Sequence, residues 1–153
     1  MEYQVRTARI IDVERIVALL AALDAAGDTA VGLSAGPSDL LRQLVGLPHA
    51  VVLVVEANRR IVGAAVLALR PSIKKGGFIG TIDVLRVDTG APSDARTSLL
   101  VELLRAARNK GCVAVEAEPP ADPAERARWT EAGFVEAGPR IVRTLTPAGV
   151  GRT

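Results

Sequence analysis

The sequence has few of the residue types on which metal sites, disulfides and aromatic-rich surfaces depend. One cysteine and one histidine occur in 153 residues, so neither an intramolecular disulfide nor a Cys/His metal cluster can form. Cys112 is expected to be a small apolar residue entering a strand, and nothing around His49 favours a catalytic role. The aromatic residues are limited to Tyr3, Phe78, Trp129 and Phe134.

The charge pattern excludes further classes. Basic residues number 19 and acidic residues 17, a net charge of +2, and Lys74–Lys75 is the only lysine pair. With few aromatics to stack on bases and no cationic stripe, nucleic-acid binding is disfavoured. No apolar stretch approaches the ~20 residues that span a bilayer, and the N-terminus lacks an apolar signal core. We therefore expect a cytoplasmic protein that binds neither nucleic acid nor membrane and holds no metal.

The apolar periodicity predicts helices and strands along the whole chain. Asp12 is a candidate N-cap for a helix through Leu23, and Asp24–Gly36 reads as a loop. Asn58–Arg59 is a turn between two nearly continuous apolar runs, which indicates a hairpin covered on both faces. Further helices are predicted over 37–47, from Ser93 or Asp94 to before Gly111, and over 122–132. The predicted strands are Tyr3–Arg6, Ala50–Glu56, Ile61–Leu69, Phe78–Val87, Val113–Ala117, Phe134–Ala137 and Ile141–Leu145.

This order of elements predicts the fold class. It indicates an α/β (α+β) domain with a mixed, mostly antiparallel sheet of about seven strands, flanked on both faces by about four helices. The length suits a single core. We expect one domain over residues 1–146 and a frayed tail over 147–153.

Four stretches resemble the GCN5-related N-acetyltransferase (GNAT) superfamily. They are "VRTARIIDVERIVALL", "RRIVGAAVLAL", "IDVLRVD…SLLVELLRAARNKGCVAVEAE" and "ARWTEAGFVEAG". They are similar, in order, to the family's first strand and helix, the strand after its hairpin turn, its central strand with the following helix and strand, and its fourth helix ending in Gly-Phe. The resemblance runs from about Val5 to Leu145.

The resemblance implies acetyl-CoA as cosubstrate and a primary amine as acceptor. The pantetheine arm of acetyl-CoA would lie beside the central strand, with main-chain contacts from Leu85 and Val87. The pyrophosphate would lie at the N-terminus of the third helix, where unpaired N–H groups and the positive helix end favour an anion. The residues implied for that phosphate site are Ser93, Asp94, Ala95 and Arg96.

The phosphate loop departs from the family pattern. The pattern is Gln or Arg, two residues, Gly, one residue, then Gly or Ala, whereas Ala91–Arg96 contains no glycine. Asp94 can occupy the N–H groups that a phosphate would use, and it would repel the pyrophosphate by about 1 kcal/mol or more. Alternatively, Ser93 caps the helix and Asp94 faces solvent, while Arg96 pairs with the phosphate.

Proton transfer is also altered. The family's carboxylate on the central strand corresponds to Asp83, a candidate base for the incoming amine, although a solvated residue or a partner for Arg86 is an equal alternative. Glu56 and Glu116 are weaker candidates for binding a cationic acceptor. Trp129 occupies the position of the family's acidic tyrosine; an indole is no practical acid, and packing is its stronger interpretation.

Two functions follow. The first is an N-acetyltransferase that moves acetyl from acetyl-CoA to a primary amine of a small molecule or protein by direct attack. The alternative is a catalytically inactive domain that binds a ligand or protein through the same cleft. A homodimer paired through terminal strands is compatible with both functions.

Overall fold

The computed structural model describes residues 2–26, 35–138 and 143–145. The chain divides into two compact units, Met1–Pro119 and Pro120–Thr153. Within the described ranges, no helix combines the length and the apolar character needed to cross a membrane. The first unit contains β1 (Tyr3–Thr7), α1 (Val13–Ala26), α2 (Ala35–Leu44), β2 (Ala50–Ala57), β3 (Arg60–Ser72), β4 (Gly77–Val87), α3 (Ala95–Asn109) and β5 (Cys112–Glu116), and the second contains α4 (Pro123–Glu131).

The strands of the first unit form one sheet in the order β1-β2-β3-β4-β5. Every neighbouring pair is antiparallel except β4 and β5, which are parallel. The β2–β3 turn places Asn58 and Arg59 at φ of 51° and 63°, the left-handed conformation at both central positions that matches strand twist in a two-residue hairpin. The predicted hairpin and the mixed, mostly antiparallel sheet are confirmed.

The predicted count of about seven strands is too high for the described residues, which form five. The predicted strand Phe134–Ala137 is irregular, because the Phe134 N–H donates to the Trp129 carbonyl oxygen at 3.1 Å and so closes the end of α4. Residues 143–145 of the predicted strand Ile141–Leu145 are also irregular. The rest of that strand and the predicted tail over 147–153 lie outside the described residues.

Apolar side chains cover both faces of the sheet. On one face, Val13 and Ile16 of α1 and Leu41 of α2 pack on even-numbered residues of β2 and β3, such as Val54 and Val66. On the other face, α3 buries its own apolar stripe, as the helical spacing predicts. Six of the eight residues of β2 are buried in an unbroken run, which is why its sequence shows no polar alternation. The buried residues of α3 are Ala95, Leu99, Leu100, Leu103 and Ala107.

A buried ion pair joins β1 to the start of α1. Asp12 is fully buried and accepts two hydrogen bonds from Arg6, at 2.8 and 3.0 Å. Arg6 also donates to Glu56 of β2 at 3.0 Å. Asp12 ends a short 3-10 turn, Ile10–Asp12, and accepts the Arg9 N–H at 2.7 Å. The carboxylate thus closes this turn ahead of α1 rather than capping α1 itself.

Candidate functional site

The strand β4 extends beyond its partner β5. The parallel register runs from Phe78 with Cys112 to Thr81 with Glu116, where β5 ends. Within the described residues, β5 therefore leaves residues 82–87 of β4 without a strand on that side. Such an edge offers backbone N–H and C=O groups to another extended backbone.

The register of β4 determines which residues offer those groups. The Asp88 N–H donates to the Val62 carbonyl oxygen at 2.7 Å, so Asp88 faces β3. In an antiparallel pair, successive residues direct their N–H and C=O alternately toward and away from the partner strand. Val87 and Leu85 are opposite Gly63 and Ala65, and they direct these groups away from β3. The two residues implied for pantetheine binding thus present their backbone to the unpaired side.

A β-bulge interrupts β4 beside this edge. Val84 is opposite Val66, and Ile82 is opposite the next residue of β3, Leu67. Asp83 is therefore an extra residue with no partner on β3, a feature common near functional sites because it redirects a side chain. Its side chain is exposed, and within the described part of the chain its carboxylate has no hydrogen bond or ion pair. A base for an amine needs such an accessible carboxylate.

Two successive turns connect β4 to α3. The Ala91 N–H donates to the Asp88 carbonyl oxygen, and the Ala95 N–H donates to the Pro92 carbonyl oxygen, both at 3.0 Å. Ala95 is fully buried, whereas Ser93 is exposed. The N–H of Ala95 is thus already engaged inside the loop. A phosphate can use it only if the second turn opens.

Asp94 is the N-cap residue of α3, but its side chain forms no capping hydrogen bond. The carboxylate is exposed at the end of the helix, where aligned peptide dipoles favour negative charge. The Asp94 side chain therefore leaves the N–H groups at the start of α3 unoccupied, while capping by Ser93 and pairing of Arg96 with a phosphate stay predictions. Arg96, in the first turn, is half-buried. Any effect of Asp94 on a phosphate would come from charge rather than from competition for hydrogen bonds.

Gly63 lies where little room is left for a side chain between β2 and the end of β4. A Cβ atom at this position would lie 3.0 Å from Val55 Cγ2, 3.1 Å from Val87 Cγ2 and 3.2 Å from the Arg86 carbonyl oxygen. Fewer than one in ten real Cβ contacts are as short as these, so a larger residue fits here only if its neighbours shift by a few tenths of an ångström. This explains the glycine of "RRIVGAAVLAL" by packing beside the candidate site.

Other charged residues near β4 are paired. Arg86 does not pair with Asp83; its Nη1 lies 2.9 Å from Asp24 Oδ1, at the end of α1. Glu116, the last residue of β5, lies 3.5 Å from Arg70 Nη2. Glu56, the other weak candidate, forms an ion pair with Arg6 and lies on β2, which β3 separates from β4.

Comparison with solved structures identifies the fold. An integron cassette protein from the Cole Harbour salt marsh metagenome aligns over 94% of this chain and 91% of its own, with 26% identity and a TM-score of 0.78. A predicted acetyltransferase from Clostridium acetobutylicum, solved with acetyl-CoA, aligns over 94% and 96%, with 17% identity and a TM-score of 0.75. Glucosamine-6-phosphate N-acetyltransferase from Arabidopsis thaliana aligns over 95% and 100%, with 14% identity and a TM-score of 0.74. The chain has the GNAT fold. No protein-family model and no curated protein matches the sequence.

The GNAT fold brings together two residues that are far apart in the sequence. Tyr3, the only tyrosine, lies with its hydroxyl 2.7 Å from Ser98 Oγ in the first turns of α3. The two residues are separated by 95 positions, and no local pattern signals the contact. The bond joins β1 to the helix that follows the candidate phosphate loop.

Trp129 has a contact within its own unit. Its ring centroid is 5.0 Å from that of Phe134, with the planes tilted by 47°, an ordinary arrangement for packed aromatic rings. Cys112, at the start of β5, is half-buried, and burial raises the pKa of its thiol. Both observations agree with packing roles.

A cavity of about 170 Å³ lies between β1, β2 and the later turns of α3. None of the residues implied for acetyl-CoA or for catalysis lines it. Its volume is below the ~300 Å³ at which small-molecule pockets usually begin. In this GNAT fold the candidate site is therefore built on β4 and the start of α3, not on the cavity.

Proposed function

We propose that the protein is an N-acetyltransferase that moves an acetyl group from acetyl-CoA to a primary amine. One observation carries the proposal: Leu85 and Val87 present backbone hydrogen-bonding groups on the unpaired side of β4. An amide-bearing pantetheine arm has the groups to pair with them. The likeness to acetyltransferases, one solved with acetyl-CoA, supports the same cosubstrate. We extend the proposal to a cytoplasmic location.

The reaction requires a neutral amine. In this scheme Asp83 accepts a proton from the ammonium group, directly or through water, because a protonated amine has no lone pair with which to attack. The amine nitrogen then bonds to the thioester carbonyl carbon and gives up its second proton to solvent, and the C–S bond breaks as the amide forms. Backbone N–H groups of β4 stabilise the oxyanion. The CoA thiolate leaves and takes its proton from solvent, so the scheme assigns no step to Trp129.

Binding of acetyl-CoA is the first test. At a thousandfold excess over Kd, binding should stabilise the protein by about 4 kcal/mol, measurable as a rise in Tm, with matching heat in calorimetry. Leu85→Pro and Val87→Pro, made separately, each remove an N–H that faces away from β3. Each should weaken binding at least tenfold while the circular dichroism spectrum is kept. If the unaltered protein gives no heat and no Tm shift with acetyl-CoA, the proposal that it is this enzyme is refuted.

The second candidate is an inactive domain that binds another ligand or a protein through the same cleft. It is favoured by the absence of glycine from Ala91–Arg96, by the engaged Ala95 N–H and by the exposed Asp94 carboxylate. If Asp94 only weakens CoA binding, Asp94→Asn and Asp94→Gly should tighten it about fivefold, in keeping with a repulsion of about 1 kcal/mol. Asp39→Asn, at an exposed carboxylate of α2, is the control. Unchanged affinity in both Asp94 variants would show that this residue is not the obstacle.

Asp83 is tested by the pH dependence of turnover. Asp83→Asn should lower kcat at neutral pH and recover at high pH, where the free amine no longer needs a base. Equal rates for Asp83→Asn and the unaltered protein at both pH values would remove Asp83 as the base.

A further inference from the structure

Two ion pairs lie on one face of the sheet, one beside the unpaired half of β4 and the other beside the half that pairs with β5. Arg86 is opposite Ala64 in the β3–β4 ladder, and Ala64 belongs to the core beneath α1 and α2. Directly opposite residues share a face, so the side chain of Arg86 is on the α1 side. By the same register, Arg70 follows two residues after Ala68 on that face. The pairs are Arg86–Asp24 and Arg70–Glu116.

The guanidinium of Arg86 has N–H donors left over after its contact with Asp24. Its side chain is 43% exposed. Among the described residues it forms one contact, from Nη1 to Asp24 Oδ1, although a guanidinium has five N–H donors in a planar fork. The fork suits two parallel hydrogen bonds to a carboxylate or a phosphate. A single-contact ion pair this exposed is weakly held, so another anion can replace Asp24.

The position of Arg86 along β4 gives it a specific relation to the candidate reaction. It lies between Leu85 and Val87, whose backbone faces the unpaired side, and three residues beyond Asp83. At about 3.3 Å per residue, Asp83 and Arg86 are separated by about 10 Å along the strand. The long arginine side chain can shorten the span between the two charged groups. A compact molecule that carries both an ammonium and an anionic group matches this pair.

We infer that Arg86 selects the acceptor by binding an anionic group, a carboxylate or a phosphate, on the molecule whose amine is acetylated. The inference rests on the proposed acetyl transfer. Asp24 is then the partner that Arg86 exchanges for the acceptor. A purely cationic acceptor would instead meet the guanidinium of Arg86 beside the amine site.

The competing interpretation is structural: the Arg86–Asp24 pair only ties α1 to β4. The two interpretations are distinguished by the direction in which KM for anionic acceptors changes in Asp24→Asn and in Arg86→Gln. If Asp24 competes with the acceptor for Arg86, Asp24→Asn should lower KM for anionic acceptors, whereas Arg86→Gln should raise it. If the pair is only a tie, both variants should change KM in the same direction or not at all.

The experiment uses matched amines with and without the anionic group. The pairs are phosphoethanolamine against ethanolamine, serine against ethanolamine, and phenylalanine against phenethylamine, each assayed by release of CoA thiol. The anionic member should have at least tenfold higher kcat/KM in one or more pairs. The phosphate and carboxylate pairs distinguish the two anionic groups. Arg86→Gln should reduce the ratio to near one by raising KM with kcat little changed, and Arg86→Lys should retain part of it.

Arg70→Gln is the matched control, because it removes the other half-exposed guanidinium on the same face; it should leave the ratio unchanged. Failure of the unaltered protein to bind acetyl-CoA would refute the proposed function itself. With acetyl-CoA bound, the inference about Arg86 is overturned by preference for the neutral amines, by transfer to no member of the panel, or by parallel effects of Arg86→Gln and Asp24→Asn.

Discussion

Acid should destabilise the protein through the buried carboxylate of Asp12. Hydrogen bonds from Arg6 are the main reason that the pKa of Asp12 falls from its ordinary 3.8 to about 2; burial opposes this, and the Arg9 N–H adds to it. At about 1.4 kcal/mol for each pKa unit, the ionised form contributes about 2 kcal/mol to folding. Because the folded pKa lies below the unfolded one, this contribution is complete above pH 3.8 and is lost as the pH falls toward 2.

Asp12→Asn isolates this carboxylate. The variant keeps the size of the side chain but leaves Arg6 with Glu56 as its only carboxylate partner among those described. Removing one partner of a buried pair costs about 3 kcal/mol at neutral pH. Urea unfolding followed by circular dichroism, from pH 7 to pH 2, gives the free energy of unfolding for both proteins. The gap between the two curves should shrink by about 2 kcal/mol between pH 5 and pH 2.

Asp39→Asn serves as the control, because its carboxylate is 72% exposed in an ion pair with Arg42. Exposed pairs of this kind contribute about 0–1 kcal/mol, so its curve should stay near that of the unaltered protein. The reasoning is refuted if the Asp12→Asn curve runs parallel to that of the unaltered protein from pH 5 to pH 2. A cost at pH 7 no larger than that of Asp39→Asn would refute it equally.

Four further substitutions test the packing and hydrogen bonding around the site. Gly63→Ala should cost about 1–3 kcal/mol of stability and weaken acetyl-CoA binding, because the new Cβ forces β3 away from Val87; unchanged urea unfolding would contradict this. Leu103→Ala shortens a fully buried side chain of α3 and should cost about 2–5 kcal/mol of stability. A loss below 1 kcal/mol in the same assay would contradict this. Tyr3→Phe and Ser98→Ala should each cost about 1 kcal/mol, and the double variant should cost little more than either one; additive losses in the double-mutant cycle would rule out the hydrogen bond.

The regular part of the fold could be predicted from local patterns. Periodicity located β2, β3 and α3, since each buries an apolar stripe or run that its own sequence displays. Gly111 was predicted to follow α3, and its φ of 87° fits that position. The prediction of a strand over Phe134–Ala137 was wrong because Phe and Val favour strands, whereas the first residue is used to close α4. The competing contact is local, since Phe134 bonds and packs against Trp129 only five positions earlier.

The candidate site was harder to predict in detail. The resemblance implied Leu85, Val87 and Asp83, but the bulge that makes Asp83 an extra residue depends on how β3 aligns with β4, and register is not visible in either strand alone. For Asp94 the sequence leaves two alternatives open, because which side chain caps α3 depends on the geometry of the loop. The Arg86–Asp24 pair spans 62 positions, a separation over which charge patterning along the chain carries no information.

The bulge at Asp83 also has a consequence for how this strand tolerates changes of length. Elsewhere in β4, losing one residue would turn every following side chain to the opposite face of the sheet. Losing Asp83 would not turn the following side chains over, because Ile82 and Val84 are already opposite consecutive residues of β3. Removing Asp83 would leave an uninterrupted ladder with each apolar residue on its present face. Among the inner positions of β4, this is the place where a deletion would leave the core intact. The only loss would be the carboxylate of Asp83 and whatever role it has.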